Sequence, residues 1–263
     1  MYFIDFHTHV YPNAIATKAA DNVRQFYNGL GNPSIDGSVQ TLLDRGTKAG
    51  VEKFVILPVA VQPSRTRHIN DFILGEVAKQ SRFYGFGTVH AGMVNITGEV
   101  EYIMDKGLRG LKMHPDYQLF SIDDPRLFPV YEMAGDKLPI VFHMGDSRYD
   151  YSHPYRLRKV LELFPKLRVI AAHFGGYTMP TVAEETLYDK ECFFDVSSSL
   201  MFMEEGVAER YINHYGAERF VYGSDFPMWD PVQEMERFQK LKLTDRQKEQ
   251  IAHITAEEIL KLK

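Results

Sequence analysis

The chain has 263 residues, 44% hydrophobic and 25% charged, the composition of a globular protein long enough to bury a substantial core. A formal charge of −5 argues against a nucleic-acid partner, which would normally call for a basic stripe, and makes a small molecule the more natural one. Cys192 is the only cysteine, so an internal disulfide is excluded, and no apolar stretch approaches the ~18 residues of a membrane span. The expectation is a cytoplasmic protein without a membrane partner, compatible with a homo-oligomer.

Short β-rich runs recur along the chain: residues 2–7, 53–58, 84–90, 109–114, 138–143, 168–173, 192–197 and 219–225. Between them lie segments of helical periodicity, among them residues 71–79, 125–134, 155–164, 205–214 and 231–241. This alternation predicts an α/β fold, a (β/α)8 TIM barrel forming a single domain over residues 1–263, in preference to a doubly wound open sheet. Residues 11–37 exceed a usual strand-to-helix loop and predict a lid-like segment after the first strand, with a short helix near residues 14–27. Residues 244–263 read as a final helix with Thr244 as its N-cap.

From the third run onward the ends fall at His90, His114, His143, His173, Ser197 and Asp225. A barrel gathers the C-terminal ends of its strands on one face, which carries the chemistry in barrel enzymes. The first run, I-D-F-H-T-H, adds His7 and His9, which share a strand face while Thr8 points the other way. Neutral imidazoles suit zinc and similar divalent ions, but two do not close a coordination shell, so further ligands must come from other strands. Three almost wholly apolar strands end in a residue type suited to that role, at His143, His173 and Asp225.

I-D-F-H-T-H, G-L-K-M-H-P, L-P-I-V-F-H-M-G, A-A-H-F-G-G and Y-G-S-D-F-P together resemble the metal-dependent amidohydrolase superfamily, in the branch that includes aminocarboxymuconate-semialdehyde decarboxylase. The resemblance extends over nearly the whole chain. It implies that His7, His9, His143 and Asp225 are metal ligands, with a water or substrate oxygen at an open position. It also implies that His173 is the catalytic histidine, or a ligand should a second ion bind. One divalent ion is expected, Zn2+ before Mn2+, with Asp225 both ligand and base and His173 polarising the substrate or moving a proton.

Some members of that superfamily carry a carbamylated lysine at the fourth strand. Lys112 precedes the strand end, and the expectation for it is burial beside a carboxylate such as Asp5. His114, at the end of the fourth run, is expected to face the substrate, and Arg148, Tyr149 and Trp229 follow the strands in loops suited to a small, partly aromatic acid, with arginine to clamp a carboxylate and tryptophan to stack on a ring. The expected activity is metal-dependent hydrolysis of an ester, lactone or amide of a small organic acid. The alternative is metal-dependent non-oxidative decarboxylation of an aromatic or muconate-like acid. A TatD-like nuclease would place glutamate at the fourth strand, where this chain has Lys112 and His114.

Overall fold

A computed structural model describes residues 1–262, and Lys263, the last residue of the expected final helix, lies outside the described residues. The strands are β1 (Phe3–Thr8), β2 (Val51–Ile56), β3 (Phe83–Gly85), β4 (Gly87–Thr88), β5 (Leu111–Met113), β6 (Ile140–Phe142), β7 (Val169–Ala171), β8 (Phe193–Asp195) and β9 (Phe220–Val221). The helices are α1 (Ala16–Phe26), α2 (Val39–Lys48), α3 (Thr66–Lys79), α4 (Ile96–Asp105), α5 (Pro115–Gln118), α6 (Phe128–Ala134), α7 (Pro154–Leu163), α8 (Pro180–Leu187), α9 (Val207–Tyr215), α10 (Pro231–Lys240), α11 (Asp245–Glu249) and α12 (Thr255–Ile259). All eight expected strands are present; the third is divided into β3 and β4 at Phe86, whose buried ring fills the room left by the missing side chain of Gly110.

By contacts the chain falls into two compact units, one made of residues 1–56 with residues from 196 onward, the other of residues 57–195. In the first, β1 pairs in parallel with β2. The other edge of β1 meets the chain leaving β9, through Phe6 N–H to Tyr222 O (2.8 Å), Asp225 N–H to His7 O (2.8 Å) and His9 N–H to Phe226 O (2.7 Å). In the second, β4, β5, β6, β7 and β8 follow one another as parallel neighbours. β6 (Ile140, Val141, Phe142) and β7 (Val169, Ile170, Ala171) are apolar at every residue, because a strand covered on both faces has no side to give to water.

The longer helices bury one stripe each. In the first unit α2 packs against α10, which buries Met235 and Phe238; in the second α4 packs against α6 and α7 against α8. Among the described residues no helix is long and apolar enough to cross a membrane.

The segment after β1 carries α1, close to where a helix is expected. It is fastened at several points rather than loose. Tyr11 N–H donates to Gly37 O (2.9 Å), Asn32 N–H to Met228 O (2.9 Å), and the buried Arg24 guanidinium to the carbonyls of Asn32 (3.0 Å) and Ile35 (3.2 Å). The C-terminal segment starts with the expected cap, a reciprocal capping box between Thr244 and Gln247, and passes through a π turn at Gln250–Ile254 into α12.

Gly46 on α2 shows how closely the first unit is packed. A Cβ there would meet ring carbons of the buried Phe54 of β2 at 2.3 and 2.4 Å. Alanine gains roughly 1 kcal/mol over glycine inside a helix, whereas overpacking a filled core costs about 1–3 kcal/mol. Gly46→Ala is therefore expected to lower the midpoint of denaturant-induced unfolding, and an unchanged or raised midpoint would mean that Phe54 moves aside at no cost.

Candidate metal centre

In the first unit the end of β1 and the loop after β9 bring three of the expected ligands together. His7 and His9 stand with ring centroids 5.1 Å apart, and Asp225 Oδ1 lies 3.5 Å from His7 Nε2 and 3.3 Å from His9 Nε2. Ordinary N–H···O bonds cluster near 2.9–3.0 Å. Donors about 2.0–2.1 Å from a tetrahedral zinc stand roughly 3.3–3.4 Å from one another. The spacing fits ligands gathered around a small cation.

Neighbouring groups hold these donors in place. Ser197 Oγ is 3.2 Å from His7 Nδ1, which leaves Nε2 as the nitrogen turned towards Asp225. Ser198 Oγ–H donates to Asp225 Oδ2, so Oδ1 is the oxygen that faces both imidazoles, and Trp229 Nε1–H donates to Ser198 Oγ at 2.8 Å. Asp5 Oδ1 accepts from Ser224 N–H (2.9 Å) and His7 N–H (3.3 Å), tying the loop after β9 to β1 beside the cluster. A Cβ on Gly223 would come within 2.8 Å of His7 Cβ, so only glycine allows the chain after β9 to run this close to β1. Asp225 takes a left-handed backbone, φ 56°, consistent with a position where geometry at the site outweighs local preference.

In the second unit the expected histidines form a buried row. His143 Nδ1 lies 3.1 Å from His173 Nε2, so one imidazole donates to the other. A carboxylate flanks each end. Asp195 Oδ1 accepts from His173 N–H at 2.9 Å and stands 3.8 Å from His173 Nδ1, while Asp116 Oδ2 stands 3.8 Å from His143 Nε2. Asp116 accepts from the Ser152 hydroxyl and from Ser152 N–H (3.2 Å). Burial nevertheless pushes its carboxyl up to about 7, against the pull of those bonds.

His114 stacks face to face on His143, with centroids 3.9 Å apart and planes 8° from parallel, and its Nδ1 accepts from Tyr117 N–H (3.2 Å) to cap α5. Arg148 folds back onto Asp146 through a forked pair of bonds and lies over Tyr149 with its guanidinium carbon 5.3 Å from the ring centroid. The first unit therefore offers three donors that could hold a cation, His7, His9 and Asp225, and the second another such group, His114, Asp116 and His143, beside the hydrogen-bonded imidazole pair His143 and His173.

A family profile described as Amidohydrolase matches residues 4–262. The chain belongs to the amidohydrolase family. Several solved structures resemble this amidohydrolase over their full length. An uncharacterized TIM-barrel protein from Bordetella bronchiseptica is 19% identical, with a TM-score of 0.82 and 99% of each chain covered. The 5-carboxyvanillate decarboxylase of Sphingomonas paucimobilis is 18% identical, with a TM-score of 0.77 and 99% of each chain covered. A dihydroxybenzoic acid decarboxylase of a Polaromonas species, with bound manganese and the inhibitor 2-nitroresorcinol, is 16% identical, with a TM-score of 0.78 over 99% of this chain and 97% of that one. At these identities the likeness shows the fold, which is the TIM barrel expected from the strand and helix alternation. No match was found among curated proteins.

Several residues that shape the amidohydrolase site escape a reading of strand ends. Ser198, Asp195 and Asp116 each touch one of the expected residues through hydrogen bonds or close polar approach, and Ser152 in turn holds Asp116. The run S-S-S after β8 points to Ser198 and the aspartate inside H-P-D to Asp116, but hydroxyls and carboxylates are too common for such signals to single them out, and Asp195 and Ser152 carry no signal of their own. His90 closes a turn by accepting from Gly92 N–H (2.9 Å), and burial holds its imidazole below the usual range and hence neutral. Lys112 is buried in β5, and Cys192 is buried.

Proposed function

We propose that this amidohydrolase is a metal-dependent hydrolase that uses activated water to cleave an ester, lactone or amide bond of a small organic acid. The observation that carries the reading is that His7, His9 and Asp225 each offer a ligand atom, all within 4.8 Å of one another. These three residues would hold one divalent ion, Zn2+ or Mn2+, and the family resemblance would add His143 as a further ligand. A divalent ion of this kind supplies Lewis acidity and lowers the pKa of water to near neutrality.

The protein's own groups do the rest. Asp225, ionised and aligned by Ser198, receives the proton of the attacking water. His173, with its main chain tied to Asp195 and its Nε2 set against His143, donates a proton to the leaving group. His114, Tyr149 and Trp229 border the substrate, and Arg148 meets an acid group by exchanging Asp146 for it.

A second reading is favoured by the decarboxylases among the structural relatives: non-oxidative decarboxylation of an aromatic or muconate-like acid, with His173 delivering a proton to carbon. Incubating the metal-loaded enzyme in 18O-labelled water with lactones, esters and amides of small acids, and in parallel with aromatic and muconate-like acids, separates the two. Solvent oxygen in the acid product without CO2 is the expected result. CO2 release without incorporation of water would replace the hydrolase by the lyase.

A further inference from the structure

The hydrogen bonds around Ser198 run in only one direction. An indole N–H can only donate, so Ser198 Oγ must accept from Trp229 Nε1 at 2.8 Å. A hydroxyl has a single proton, and the carboxylate oxygen Asp225 Oδ2 is its acceptor. The chain Trp229 to Ser198 to Asp225 therefore ends by presenting Oδ1 to His7 and His9. Ser198 is buried and holds a left-handed backbone at φ 51°, a conformation that costs roughly 1–3 kcal/mol for a residue other than glycine. Strain maintained at a buried hydroxyl aimed at a ligand marks a geometry that the surroundings impose. Trp229 is also the only tryptophan of the chain, and its ring packs edge-on against Phe202 at 5.9 Å.

We infer that Ser198, set by Trp229, is a positioning residue for the ion: it selects Oδ1 of Asp225 as the coordinating oxygen and couples the one tryptophan to occupancy of the centre. This rests on the metal reading of the His7, His9 and Asp225 cluster. Groups that orient a ligand in this way are typically worth 10–100-fold in metal affinity.

The test titrates Zn2+ into metal-free wild type, Ser198→Ala, Ser198→Gly and Trp229→Phe against a chromophoric chelator, and follows tryptophan emission where the tryptophan is present. Wild type is expected to bind one equivalent with a change in emission. Ser198→Ala and Ser198→Gly are both expected to bind about 10–100-fold more weakly and to lose the emission change even when saturated. Trp229→Phe, which keeps a ring but not the N–H, is expected to weaken binding by a smaller factor. Glycine relieves the left-handed backbone without restoring the hydroxyl, so recovery of affinity in Ser198→Gly would assign the effect to the backbone and overturn the inference. Wild-type affinity and emission response in Ser198→Ala would overturn it as well, and wild-type affinity in Trp229→Phe would remove the tryptophan from it. If wild type takes up no Zn2+, the metal reading itself fails, an outcome distinct from any loss confined to the variants.

Discussion

Alanine in place of Asp225 is expected to yield a folded protein that no longer retains its ion. Asp225 is the one anionic donor of the cluster, with Oδ1 3.5 Å from His7 Nε2 and 3.3 Å from His9 Nε2. Removing it takes away both a coordination bond and the charge that offsets the cation's desolvation. The loss in affinity should therefore exceed the ~100-fold at the upper end of what orienting groups contribute. His9→Ala removes a neutral donor from the partly exposed edge of the same cluster and is expected to give the same qualitative result. Neither change removes an apolar core side chain, so circular dichroism should match that of the metal-free parent, while Asp225→Ala, which leaves the buried Ser198 hydroxyl without its acceptor, should cost about 1–3 kcal/mol of stability. Elemental analysis after gel filtration reads the outcome. Stoichiometric metal in both variants would sink the assignment of these residues as ligands.

The features legible in the sequence are those that repeat with a period. Apolar runs ending in His or Asp mark the strand ends, and the alternation in F-H-T-H puts His7 and His9 in one place. The parallel architecture then brings Asp225 to them from more than two hundred residues away, held by Asp225 N–H to His7 O at 2.8 Å. Side-chain partnerships are the illegible part, because they depend on rotamers and on chance proximity within loops. Nothing in S-R-Y-D says that Arg148 turns back onto Asp146, or that Trp229 offers its N–H to a serine thirty-one residues earlier. The break in the third strand at Phe86 is illegible for a similar reason. It depends on where a ring finds room, and that room is above Gly110, which is contiguous with Phe86 only once the strands have paired.

His173→Asn is expected to keep the ion and lose the reaction. His173 lies at φ 59°, a left-handed conformation that asparagine tolerates better than most residues, so the substitution adds little backbone strain. The amide retains hydrogen-bonding atoms towards His143, 3.1 Å from the native Nε2, and the backbone N–H that Asp195 holds at 2.9 Å is untouched. What disappears is a group that can take up and release a proton near neutral pH. General acid–base help is worth about 10²–10⁴-fold, so kcat should fall by at least ~10²-fold while metal content stays at the wild-type level. The pH–rate profile should lose the limb that His173 supplies, a change that a mere packing defect would not produce. A wild-type rate would remove His173 from the mechanism. Loss of metal along with activity would make it a ligand, and the proton donor would then have to be sought elsewhere in the row that His143 and Asp116 continue.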